Sequence, residues 1–84
     1  MLAVLAGIYF RLSADEWRWI ILAIALVWLA EAFNTAIERL GDAITHEHND
    51  YLKFAKDVAA GAVLVASITS ALIGLTVFIP HIFG

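Results

Sequence analysis

Cysteine is absent from this 84-residue sequence, so disulfides and thiolate-based metal or redox chemistry are excluded. Proline occurs once, at Pro80, where together with Gly84 it marks the close of the last helix. Charge is scarce: only 15% of residues are Asp, Glu, Lys or Arg, and the net charge is −3. That balance carries no basic patch and gives nucleic acid nothing to bind. Alternation of apolar and polar residues is also missing, which removes strands. There is no repeat, no low-complexity tract, no Walker A sequence, no kinase glycine loop and no GxSxG. The start, "MLAVLAGIYFRLSADEW", lacks the basic region and small-residue cleavage site of a signal peptide.

What remains is apolar. Hydrophobic residues make up 63% of the chain, and the mean hydropathy is +0.89. So short a chain has too little interior to hide that surface from water, which points to a lipid environment; a soluble helical bundle is the rival. The pattern predicts one all-α, membrane-embedded domain over residues 1–84, with three helices over about 2–12, 14–43 and 51–79. The first helix is shorter than the ~20 residues a bilayer crossing requires. Ser13 stands three residues before Glu16, the spacing of a capping box. Trp17 and Trp19 read as interfacial anchors, and Trp28, deeper in the helix, as packing. Ala62, Ala66, Ser70 and Gly74 form a small-residue stripe at four-residue spacing, a seam for close helix association and for oligomers. Arg39, Lys53 and Lys56 flank the second connection against Arg11 and Arg18 at the first, favouring a cytoplasmic second connection.

Against this background a polar row stands out. At 100° per residue, Glu31, Asn34, Glu38 and Asp42 share one face of the second helix, with Glu31 the deepest. A carboxylate at membrane depth is costly unless it is paired, wetted or protonated, and so marks a functional candidate. The plainer alternatives are an interhelical hydrogen bond for Glu31 and a solvated helix end for Glu38 and Asp42. Hard oxygen ligands suit Mg²⁺ shared with phosphates, which Glu38 is placed to hold from the aqueous side. Asn34 can orient groups without adding charge, and Glu31 is positioned to accept a proton from a hydroxyl on the lipid side. Phosphoryl transfer needs little more than positioning, charge neutralisation and a base. Lys56, beside Asp57 at the start of the third helix, supplies a cation for phosphate; a snorkelling interfacial lysine is its alternative. His46, Glu47 and His48 are adjacent ligands on a short loop, a poor arrangement for zinc and a natural one for a solvated loop.

"EAFNTAIERLGD", followed after a fixed interval by "AKDVAAGAVLVA", resembles the small bacterial integral-membrane lipid kinases, the diacylglycerol kinases and the related undecaprenol kinases. Their pattern E-x-x-N-[ST]-A-x-E-x-x-x-D followed by A-K-D is met by Glu31, Asn34, Thr35, Ala36, Glu38, Asp42, Ala55, Lys56 and Asp57. "FRLSADEW" and "KDVAAGAVL" are nearer the undecaprenol kinase branch. The resemblance implies a homotrimer of three-span subunits in the bacterial inner membrane, with ATP and Mg²⁺ bound on the cytoplasmic side. It implies that Glu31 is the general base on the lipid hydroxyl and that Glu38 ligates the metal and nucleotide. Asn34 would organise the site, with Asp42 in support. Glu47, His48 and Asn49 would lie where the loop meets ATP, and Lys56 with Asp57 would complete the nucleotide contacts. His48 and Asn49 depart from the pair usual at those positions.

The family also carries an amphipathic surface helix ahead of the first span, bearing a further acidic metal ligand. This sequence opens after that point, as a fragment, a misplaced start or a degenerate member would. It is therefore expected to supply one wall of the site. The function expected is ATP-dependent phosphorylation of a membrane lipid alcohol, diacylglycerol or undecaprenol. A non-catalytic membrane assembly subunit or proton-linked carrier, in which Glu31 only pairs or relays protons, is the alternative.

Overall fold

The computed structural model describes residues 1–84 as three α-helices: α1 (Leu2–Phe10), α2 (Ala14–Ile44) and α3 (Asp50–Phe83). The chain is a rod, 54 × 17 × 17 Å. Helices α2 and α3 have 31 and 34 residues, so at 1.5 Å per residue they run about 46 and 51 Å, longer than the ~30 Å hydrocarbon layer. Both are long and apolar enough to cross a membrane, and α1, with 9 residues, is not.

Local chemistry sets the helix ends. Arg11 stops α1 in the left-handed region (φ 55°, ψ 56°), where the Arg11 and Leu12 N–H groups donate back to the Ile8 and Gly7 carbonyls. The expected capping box opens α2: the Glu16 N–H donates to Ser13 Oγ at 3.2 Å, and the Ser13 N–H donates to Glu16 Oε1 at 3.0 Å. Asn49 caps α3, accepting from the Tyr51 and Leu52 N–H groups.

Pro80 does not end α3 as the sequence suggested; the helix continues through it to Phe83. A proline removes one backbone donor, and apolar helices of membrane proteins absorb that loss where neighbouring groups compensate. The extra turn is anchored by His81, whose Nε2 donates to Glu16 Oε2 at 2.6 Å. Glu16 thus caps α2 with one oxygen and ties down the end of α3 with the other.

Three pairings fix α2 and α3 as an antiparallel hairpin: Asp42 with Lys56, Ala23 with Ser70, and Glu16 with His81. In the middle, Ser70 Oγ donates to the Ala23 carbonyl at 2.8 Å, with Ala23 and Ala66 buried beside it. The small-residue stripe is therefore spent partly inside the subunit, and Ala62 stays exposed. The main apolar cluster, Leu12, Ile20 and Val77, lies at the α1 end with Phe10, Trp17 and Phe78 packed around it. Trp17 lies against the Gly7 backbone, half-buried, rather than serving only as an interfacial anchor. Trp28, expected to pack, is 67% exposed. It stands on the wall of an open groove shared with Ser70, Ala71 and Gly74 of α3, a placement that one-dimensional spacing does not reveal. Only 7 of 84 residues are buried, so most of the apolar side chains remain exposed or half-exposed. Such a surface is stable in lipid or against other helices, not in water.

Candidate functional site

At the end opposite the apolar cluster, the chain becomes polar. The end of α2, the 45–49 connection and the first turns of α3 enclose a cavity of about 370 Å³. Glu38, Asp42, Glu47, His48, Asn49, Lys56 and Asp57, all singled out from the sequence, line it. Leu52 is the one hydrophobic residue in its wall.

Lys56 is the strap across this mouth. Its Nζ donates to Asp42 Oδ1 at 2.8 Å, joining α3 to α2, with the lysine side chain 34% and the aspartate 49% exposed. Glu38, one turn deeper on α2, lies near enough to act on the same ammonium electrostatically. Lys53 makes a second ion pair, to Asp57 Oδ2 at 2.9 Å. On the rim, His48 Nε2 donates to Asp50 Oδ1 at 2.7 Å, and Asn49 spends its side-chain oxygen on the α3 cap.

Two residues of the polar row lie outside this cavity. Asn34 borders the adjoining apolar groove, about 500 Å³, with Phe33, Ala62, Ala66 and Thr69 in its walls. The Asn34 Oδ1 is buried and has no hydrogen-bond partner within the chain, an arrangement costing about 1–3 kcal/mol unless something else supplies a donor. Glu31 lines neither space and stands on an exposed face of α2. Seven residues separate it from Glu38, which at 1.5 Å per residue is about 10 Å of depth.

The sequence offered little warning of four contributors. Lys53 was counted only as a loop charge, although its four-residue spacing from Asp57 signals an ion pair. His46 and Thr45 join the cavity wall because the connection folds over the α2 end. Gly41 is buried beneath the Lys56 side chain.

No group of three or more His, Asp or Glu side chains is gathered to hold a metal by protein ligands alone. The donor set fits a hard cation held jointly: Glu38 makes no hydrogen bond or ion pair within the chain, and Mg²⁺ is commonly bound by one or two carboxylates plus substrate phosphates.

An all-helical hairpin with two membrane-length apolar helices and a charged cavity at one end has the architecture of a membrane protein. Comparison with known proteins makes the assignment specific. Residues 1–78 match the prokaryotic diacylglycerol kinase family, and the chain belongs to that family. It is 43% identical over 79 residues to the undecaprenol kinase of Bacillus subtilis, covering 94% of this chain and 64% of that protein. It is 37% identical over 60 residues to a diacylglycerol kinase of Synechocystis sp., covering 70% of this chain and 34% of that protein. The chain therefore spans less than two thirds of the length of these relatives. No solved structure matches it.

Proposed function

We propose that this chain forms a single membrane-embedded domain of an ATP-dependent lipid kinase, with diacylglycerol or undecaprenol as acceptor and Mg²⁺ as cofactor. One observation carries the proposal: the charged cavity closed by Lys56 and Asp42 opens at the head of the same α2–α3 seam that holds Asn34 and an apolar groove. A nucleotide from water and a hydroxyl from lipid can meet there. The names of the two relatives supply the two acceptors.

In this proposal the chain's residues divide the work by depth. Lys56 and Lys53 are the cavity's cations, available to phosphate oxygens once their carboxylate partners are exchanged for a stronger ligand. Asp57, Glu47, His48 and Asn49 border the nucleotide from α3 and the connection, and Asp42 holds Lys56 in reach. Glu38 is the residue of this chain that would hold Mg²⁺ together with the phosphates, and the metal would there supply neutralisation of the charge that repels an incoming oxygen. Asn34 offers an unused acceptor between the two phases. Glu31, the deepest carboxylate, takes the proton from the lipid hydroxyl. As that oxygen bonds to the terminal phosphorus of ATP, the bond to the bridging oxygen breaks and ADP leaves.

The same proposal places a homotrimer in the inner membrane, with three helices per subunit, the first of them short, and the cavity facing the cytoplasm. Support comes from the unpartnered apolar faces and from the lysines and arginine around the second connection. The test is transfer of labelled terminal phosphate from ATP to diacylglycerol and to undecaprenol, run side by side. A labelled lipid product supports the proposal, and its absence from both acceptors in the full gene product refutes it.

A further inference from the structure

Gly41 lies one residue before Asp42, within the last turn of α2 and three residues short of the helix end at Ile44. Its backbone torsions are ordinary, so nothing about α2 requires glycine there. Glycine within a helix is in fact unfavourable compared with alanine. The space around it is the exception: a β-carbon at residue 41 would stand 3.0 Å from Lys56 Cε, 3.7 Å from Leu52 Cδ2 and 3.8 Å from Lys56 Nζ. The lysine stem crosses α2 directly over the missing side chain before its ammonium reaches Asp42 at 2.8 Å.

We infer that Gly41 is a positioning residue for Lys56: by lacking a side chain it provides the channel that lets the α3 lysine lie flat on α2 and present its charge to the cavity. This inference rests on the kinase proposal for its consequence, since a displaced Lys56 matters only if Lys56 meets the nucleotide. The geometry itself does not depend on that proposal. Gly61 supplies the contrast: a β-carbon there meets nothing within 4 Å.

The two roles that Gly41 could play move opposite quantities. If it serves only the helix, replacing it by alanine raises stability and leaves kinetics alone. If it seats Lys56, alanine forces the lysine to move by a few tenths of an ångström, and leucine denies it the crossing altogether. Gly41→Ala, Gly41→Leu, Gly61→Ala and Lys56→Ala are compared in the full gene product by KM for Mg·ATP, kcat and thermal unfolding. The expected result is a several-fold rise in KM for Gly41→Ala with an unchanged or higher melting temperature. Gly41→Leu approaches Lys56→Ala, and Gly61→Ala behaves as wild type. Combining Gly41→Leu with Lys56→Ala adds nothing to the latter, as expected when two changes remove one contact. A wild-type KM in Gly41→Leu, while Lys56→Ala is impaired, overturns the inference and leaves the kinase proposal standing. Wild-type kinetics in Lys56→Ala overturns the inference together with the nucleotide role of Lys56, whereas a wild type that transfers no phosphate overturns the kinase proposal. The seating is also read without turnover, from the affinity for a non-hydrolysable Mg·ATP analogue. Gly41→Leu weakens that binding as Lys56→Ala does if the inference holds, and wild-type binding in Gly41→Leu beside weakened binding in Lys56→Ala contradicts it.

Discussion

Lys56 of α3 and Asp42 of α2 stand 14 residues apart in the chain and 2.8 Å apart in space. Their contact closes the charged end of the hairpin, and the partnership is electrically exposed enough to be exchanged. Side chains one-third to one-half accessible are well screened by water, so the pair adds little to stability. Its value lies in where it keeps the lysine.

Asp42→Asn is accordingly expected to leave the melting temperature nearly unchanged while raising KM for Mg·ATP about tenfold, the scale of one charge-assisted hydrogen bond. Steady-state kinetics beside a thermal melt separates the two effects. A large drop in melting temperature with an unchanged KM would make the pair structural.

Helix association rests on different groups. Ser70 Oγ donates to the Ala23 carbonyl across the seam, half-buried. Interhelical hydrogen bonds of this kind in membranes are worth about 0.6 kcal/mol, so Ser70→Ala should lower stability by roughly that amount. Ser70→Leu, which drives a large side chain against the α2 backbone, should cost about 1–3 kcal/mol by overpacking. Unfolding in mixed detergent measures both, and equal effects would mean that Ser70 does not pack against α2.

At the other end, Gly7 accommodates the Trp17 ring: an added β-carbon would lie 2.6 Å from Trp17 Cη2. A rigid ring cannot yield as a lysine stem can. Gly7→Ala should therefore dislodge Trp17 and release α1, at a cost of about 1–3 kcal/mol. With Trp19 and Trp28 replaced by Phe, the emission of Trp17 reports this directly, and an unshifted spectrum would place the ring elsewhere.

Ser13→Ala removes the α2 cap and should cost about 1 kcal/mol. Glu16→Ala should cost more, because it removes the reciprocal half of the cap and also frees His81. If thermal melts rank the two in the opposite order, the bond between Glu16 and the end of α3 contributes nothing.

Much of this architecture was legible in one dimension. The apolar runs located the helices, and the Ser13–Glu16 spacing announced its cap correctly. The row from Glu38 to Asp42 and the Lys56–Asp57 pair reached one cavity because helix periodicity and a short connection leave few other placements. What periodicity cannot carry is direction toward a partner helix. Trp28 therefore looked like packing and is exposed. Asn34 shares a face with Glu38 yet borders a different space, and Glu31, on the same face, borders neither. Pro80 was read as a stop because the loss of a donor is a local rule, whereas the His81 bond that retains the last turn spans 65 residues. Gly41 gave no signal at all, since a glycine that makes room for a distant side chain resembles any other.

The most direct test concerns Glu31, the one carboxylate that the hairpin itself neither pairs nor encloses. Transfer of labelled terminal phosphate from ATP to undecaprenol and diacylglycerol is measured for the full gene product and for Glu31→Gln under saturating Mg·ATP. The account predicts labelled lipid phosphate from the wild type and a fall in kcat of about 10²–10⁴ for the variant, the range of a lost general base, with KM for Mg·ATP little changed. Full turnover by Glu31→Gln would contradict the assignment of the base. A wild type that phosphorylates neither lipid would contradict the central claim and favour a membrane protein in which this carboxylate only pairs or relays protons.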